Sequence, residues 1–174
     1  MTLTAHIARI LEGWSSAREA VHAGAPVPLR LCSRLLPVSD AGTPPVEDVP
    51  DELSELWALS AEVRLFEDID FGQWGLALLP RAACATATRV LASQRRREHR
   101  DGDLVIGRFL GDSDLLLMRT DPRSADWGQV CIALPLDRRD DWYYPKVGLQ
   151  AFIQLLSDAQ GAKFWELASR RPPG

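Results

Sequence analysis

Two apolar runs, Asp103 to Leu110 and Leu115 to Met118, stand on either side of Gly111-Asp112-Ser113-Asp114. A connection this short, built from Gly and Asp, reads as a hairpin turn, and it ties the two runs into an antiparallel pair. More runs of the same kind surround it. Val63, Leu65 and Phe66 mark one strand, and a polar stretch from Glu67 to Gly72 leads into another, Trp74 to Leu79. Gln129 to Leu136 is a further strand, closed by Pro135 and the charged run Asp137 to Asp141. Strands joined by short turns imply a mostly antiparallel sheet, expected here between Val63 and Leu136.

Helical spacing frames this region. From Thr4 to His22, the residues Ile7, Ile10, Leu11, Trp14, Ala17 and Val21 fall on one stripe, with Gly24 and Pro26 beyond it as stop signals. Asp51 is placed to cap a short helix, Glu52 to Leu59, that turns Leu53, Leu56 and Trp57 inward. Pro80 opens an alanine-rich helix running to about Arg97. Val147 to Ala159 carries Leu149, Phe152, Ile153 and Leu156 on one face, and a last turn, Lys163 to Ala168, holds Phe164 and Trp165. Helices before and after a run of strands predict an α+β fold of one domain, its helices packed on one face of the sheet. Within it, residues 1–48 read as a helix and a proline-rich loop, 49–168 as the α+β body and 169–174 as a frayed tail. Leu29 to Val38 reads as a strand or short turn, and Asp40 to Val49 as an exposed loop able to hinge the first helix.

Composition narrows the function. The net charge of −4 argues against nucleic acid as the main partner, because phosphate contacts need a concentrated basic surface. The run Arg95, Arg96, Arg97 and Arg100 is interrupted by Glu98 and has no interleaved aromatic residue, so it reads as a solvated helix end. Met1 to Glu12 has neither the charged start nor the apolar centre of a signal peptide, and no stretch is long enough to span a bilayer. A cytoplasmic protein with no membrane contact is expected. Cys32, Cys84 and Cys131 are too widely spaced for a disulfide framework or a zinc site.

No nucleotide-binding, metalloprotease or serine-hydrolase motif is present, and His6, His22 and His99 do not form a ligand set. No cofactor or metal is expected. The carboxylates offer more. Glu67, Asp68 and Asp70 crowd one turn, and Asp112 and Asp114 another. Such groups can hold a divalent cation or work as acid and base. They also suit turn backbones, which use Asp and Gly for their geometry. Between these lies a third reading, an acidic patch at one sheet edge for a basic protein. Trp142 follows two aspartates and precedes Tyr143 and Tyr144, a setting shared by interface anchors and by loops that lid a core.

Taken together, the residues resemble a known family. Glu52-Leu53-x-x-Leu56-Trp57, Leu65-Phe66 and Gln73-Trp74-Gly75-Leu76 are similar to the start of the SUKH superfamily, which groups fungal cell-wall-synthesis regulators with bacterial immunity proteins. Asp103-Leu104-Val105-Ile106-Gly107, Leu110-Gly111-Asp112, Asp114-Leu115-Leu116, Gln129-Val130, Trp142 and Phe152-Ile153 continue the likeness, from about Val49 to Trp165. Ser60-Ala61-Glu62 stands where the family has an Asn-Gly turn. The resemblance implies a non-enzymatic binder that neutralises a toxin, with no catalytic residue to carry over. A regulatory module of the same fold is the alternative, and a metal-assisted hydrolase using Glu67 to Asp70 the third reading. On the carboxylate and aromatic argument, the expected contacts for a protein partner are Glu67, Asp68, Asp70, Asp112, Asp114 and Trp142.

Overall fold

The computed structural model describes residues 1–23, 25–39 and 47–169. Its elements are α1 (Leu3–Gly13), β1 (Arg18–Ala20), β2 (Leu29–Pro37), α2 (Asp51–Ala58), β3 (Ala61–Asp68), β4 (Leu76–Leu78), α3 (Arg81–Gln94), β5 (Asp103–Phe109), β6 (Leu115–Arg119), β7 (Val130–Ala133), α4 (Leu149–Asp158) and α5 (Phe164–Ser169), with a 3₁₀ turn at Arg139–Asp141. The seven strands form one sheet in sequence order, and every neighbouring pair is antiparallel. This is the expected α+β class. Among the described residues, no helix is long and apolar enough to cross a membrane.

Several expectations change. The first helix ends at Gly13, and Arg18–Ala20, read as its last turns, is an edge strand paired with β2. The sheet therefore begins well before Val63. The described part of residues 1–39 is no separate arm: β2 pairs along β3, and α1 packs on α2, α4 and β2. The expected loop Asp40 to Val49 lies outside the described residues as far as residue 46, as do the stop at Gly24 and the tail from residue 170. Asp51 is the first residue of α2 and not its cap, a place taken by Pro50 without a side-chain bond.

The helical layer is tied together at helix starts. The first amides of a helix have no partner within it and carry partial positive charge, so a carboxylate there is stabilising. α2 supplies two. Glu52 accepts from Leu149 N at 2.6 Å, at the start of α4, and Glu55 accepts from Thr4 N at 3.2 Å, in the first turn of α1. Gly148, before α4, has no side chain to cap with, and a Cβ there would stand 2.9 Å from Glu52 Oε2. Beneath this layer lie Leu3, Ile7 and Ile10 of α1, Leu53 and Leu56 of α2, and Leu149, Phe152, Ile153 and Leu156 of α4, all buried.

β3 is bent where it meets β2. Cys32 pairs with Glu67 and Arg34 with Arg64, so Leu65 and Phe66 together oppose Ser33, which makes a β-bulge. Phe66 takes a φ of 55°, a left-handed conformation costly for a bulky residue. Ser33 Oγ holds it there by accepting from Phe66 N at 3.0 Å, and the Trp14 ring meets the Phe66 ring edge-on at 5.1 Å.

Candidate functional site

Three connections meet at one end of the sheet: the β3–β4 turn, the β5–β6 turn and the link from α4 to α5. The first two are packed backbone to backbone. Leu110 N donates to Gly75 O at 2.9 Å, and a Cβ on Gly111, whose φ is 77°, would fall 2.4 Å from Gln73 O. Trp74 joins the third, its indole Nε1–H donating to Gly161 O at 2.9 Å. The His22 ring lies tilted against the Trp74 ring, centroids 5.3 Å apart, with Nε2 2.9 Å from Gln160 O. Between the connections lies a cleft of about 130 Å³ whose walls include Trp74, Phe109, Trp165, Gly111, Asp112 and Lys163.

The sheet thus brings together the two acidic turns that the sequence singled out, but it does not leave their carboxylates bare. Glu67 and Asp68 belong to β3 and are buried. Glu67 accepts from Arg34 Nε at 2.8 Å and from Arg64 at 2.7 Å. Burial alone would raise the Glu67 carboxyl, but these two guanidiniums outweigh it and hold it below its ordinary value. Asp70 is exposed and pairs with Arg30 at 2.9 Å. Asp112 and Asp114 share Lys163, whose Nζ stands 2.5 Å from Asp112 and 3.7 Å from Asp114. The same ammonium lies 5.7 Å from the Trp74 ring centre and 5.8 Å from that of Phe109. Trp142 lies elsewhere: it is 4% exposed, donates from Nε1 to Leu134 O at 3.1 Å and carries the Arg139 guanidinium over its ring. It is a core residue, and the aspartates before it in sequence do not bring it to the surface.

Two groups in this region were not anticipated. Lys163 draws Asp112 and Asp114 into one cluster, and its only sequence signal is that it is one of two lysines. Phe71 is the other, 80% exposed at the tip of the β3–β4 turn beside Ile69 at 42%.

Asp114 is shifted the other way from Glu67, upward. Burial, and then the neighbouring Asp112 charge, push it up to about 6 from 3.8. A group whose folded value lies above its unfolded one gives stability that is complete below about pH 3.8 and lost as pH rises through about 6. At neutral pH the ionised Asp114 therefore works against folding. Asp114→Asn should raise stability at pH 7 by about 1–2 kcal/mol, with the gain gone near pH 4, as read by urea unfolding at both pH values. An unchanged midpoint at pH 7 would show that Lys163 already offsets the charge.

A second ionic cluster is buried near the opposite end of β5. Asp103 accepts from Arg119 at 2.6 Å, from Arg139 at 2.5 and 3.0 Å, and from the Arg100 amide at 2.8 Å. Burial would raise this carboxyl, but the Arg139 bonds, the Arg100 amide and Arg119 together hold it low. Cys131, pushed up to about 12 chiefly by burial, remains a thiol at neutral pH. Among the described residues, no three His, Cys, Asp or Glu side chains are grouped so as to hold a metal ion. Compared with models of known families, with curated proteins and with solved structures, the chain matches none.

Proposed function

We propose that this chain is a protein-binding domain that acts by occupying its partner, and that the partner is a toxin encoded beside its gene. The observation that carries the binding reading is the β3–β4 turn. Gly72 N donates to Asp68 O at 3.0 Å, Asp70 N to Asp68 Oδ1 at 3.0 Å and Ile69 N to Arg30 O at 3.0 Å, and the Arg30–Asp70 ion pair ties the tip to β2. These ties hold Ile69 and Phe71 in water at a fixed place. Fixing the turn's backbone in advance lowers the entropy lost on docking, and a large aromatic on such a mount suits the centre of an interface. The toxin as partner rests on the resemblance given by the Gly111-Asp112 hairpin and the closing helix with Phe152-Ile153.

Co-expression with the neighbouring toxin gene tests both parts. The parent chain should protect the cell and bind the toxin. Ile69→Ala with Phe71→Ala should melt as the parent does and bind at least about 30-fold more weakly, the equivalent of about 2 kcal/mol. Unchanged binding by this variant would rule out the turn. Failure of the parent chain to protect, together with recovery of a different partner, would favour the regulatory alternative.

A further inference from the structure

We propose that the cleft beside this turn is a receptor for a partner's arginine side chain, whose guanidinium stacks on the aromatic wall and pairs with Asp112. The inference rests on the protein-binding reading only in naming a protein as the source of that arginine. Three features of the cleft support it.

The first is the wall. Trp74, Phe109 and Trp165 line the cavity, and the ring faces of indoles and phenyls carry negative potential that attracts cations. Lys163 shows that preference from within the chain, since its ammonium sits within 6 Å of two of these rings. The second is charge. Among the described residues, Lys163 is the cation paired with both Asp112 and Asp114, so the group stays negative once both are ionised. Glu166, 3.6 Å from the same ammonium, adds to that charge, so a further cation is attracted and an acidic group would be repelled. An uncharged apolar side chain would cover the ionic rim and strip it of water without return.

The third is access and shape. The Asp112 side chain is 36% exposed while that of Lys163 is 15% exposed, so the carboxylate is the part of the pair that meets solvent. Asp112 Oδ1 accepts from the Ser113 and Asp114 amides, which fixes the carboxylate at the turn. A planar guanidinium can lie against a ring and donate in its own plane to such a fixed carboxylate, which an ammonium cannot do. The size also fits: a cavity near 130 Å³ is comparable to one on the order of 150 Å³ that takes a benzene ring, so it holds a guanidinium with its last methylenes but no whole peptide.

Asp114 faces Asp112 on its own turn, and Lys163 and Glu166 from the α4–α5 side. An arriving cation favours its ionised form, so occupancy should release a proton in the range where Asp114 titrates.

The experiment uses the full chain and needs no partner. N-acetyl-arginine amide is titrated while the Trp74 indole N–H is followed by NMR, with N-acetyl-norleucine amide as the uncharged control. The arginine compound should give a saturable shift that tightens from about pH 5 to about pH 7, and the norleucine compound should give none. Asp112→Asn keeps an oxygen for the Ser113 and Asp114 amides, so the turn survives, and it should weaken binding about tenfold. Trp74→Phe is a second variant, followed by the Gly111 backbone amide because the indole reporter is gone, and is expected to weaken binding with the fold checked by its melting temperature. Equal shifts from both compounds, no shift from arginine amide, or full binding by Asp112→Asn would each overturn the inference. Failure here leaves the Phe71 result untouched, and loss of the Phe71 result leaves this one standing, so the two readings fail separately.

Discussion

Asp103→Ala will lower the stability of the fold by about 3–5 kcal/mol, the largest effect expected of any single substitution here. The Asp103 side chain is 1% exposed, and it bridges Arg119 and Arg139, which are 9% and 6% exposed. Removing the carboxylate leaves Arg139 in the interior without a carboxylate partner and Arg119 with only the part-exposed Asp126, at 3.1 Å, so most of the desolvation cost is then unopposed. Urea unfolding measures the loss. A decrease below about 1 kcal/mol would mean that water reaches the arginines. Replacing all three residues with apolar ones of similar volume should recover much of the stability, since the ion pairs offset a cost that those residues do not incur. The pH dependence has the opposite sign to that of Asp114. A carboxyl held below 3.8 in the folded state gives stability that is present above that pH and lost as pH falls through the folded value, so Asp103 contributes to unfolding in strong acid.

Gly111→Ala is expected to cost about 2–4 kcal/mol, through two effects that a control separates. Its φ of 77° is unfavourable for any residue with a Cβ, and that Cβ would press within 2.4 Å of the Gln73 carbonyl oxygen and 2.6 Å of its carbon. The atoms in the way are backbone, so relief requires the β3–β4 and β5–β6 turns to part. Gly72→Ala has a similar φ of 64° but nothing within 4 Å of the new Cβ, so it should cost only about 1 kcal/mol. Equal losses at the two positions would show that conformation alone sets the cost. A larger loss at Gly111, with the Trp74 indole signal displaced, would confirm that turn-on-turn packing builds the cleft.

Local pattern made some of this legible. The β5–β6 hairpin, α4 and α5 could be read because period, turn residues and length agreed over short spans. β1 could not. Ala17 and Val21 continue the three-and-four spacing of α1 by coincidence, and only Gly13 with Ser15-Ser16 signals the stop. A three-residue edge strand has too little pattern of its own to override that spacing. The acidic residues could be located, but not their partners. Glu67 is tied by Arg34, on the adjacent strand, and by Arg64, three residues before it on its own, while the partner of Asp112 lies 51 residues further on. Which carboxylates face water is decided by the neighbours that folding supplies. Trp142 was misplaced for the same reason, since the charge beside it, Arg139, folds over its ring and points inward to Asp103.

The sequential order of the strands has a consequence for how the chain is made. Each strand pairs with the next to be synthesised, so the sheet can grow strand by strand as it leaves the ribosome. The first helix cannot settle so early. Its stripe, Leu3, Ile7 and Ile10, is covered in part by α4, more than 130 residues later, and the Met1 carbonyl accepts from Gln150 only when that helix exists. α2 and β2 can cover part of this apolar face early, but the part that α4 closes stays open through most of translation, and that interval leaves the nascent chain exposed to aggregation and to chaperone capture.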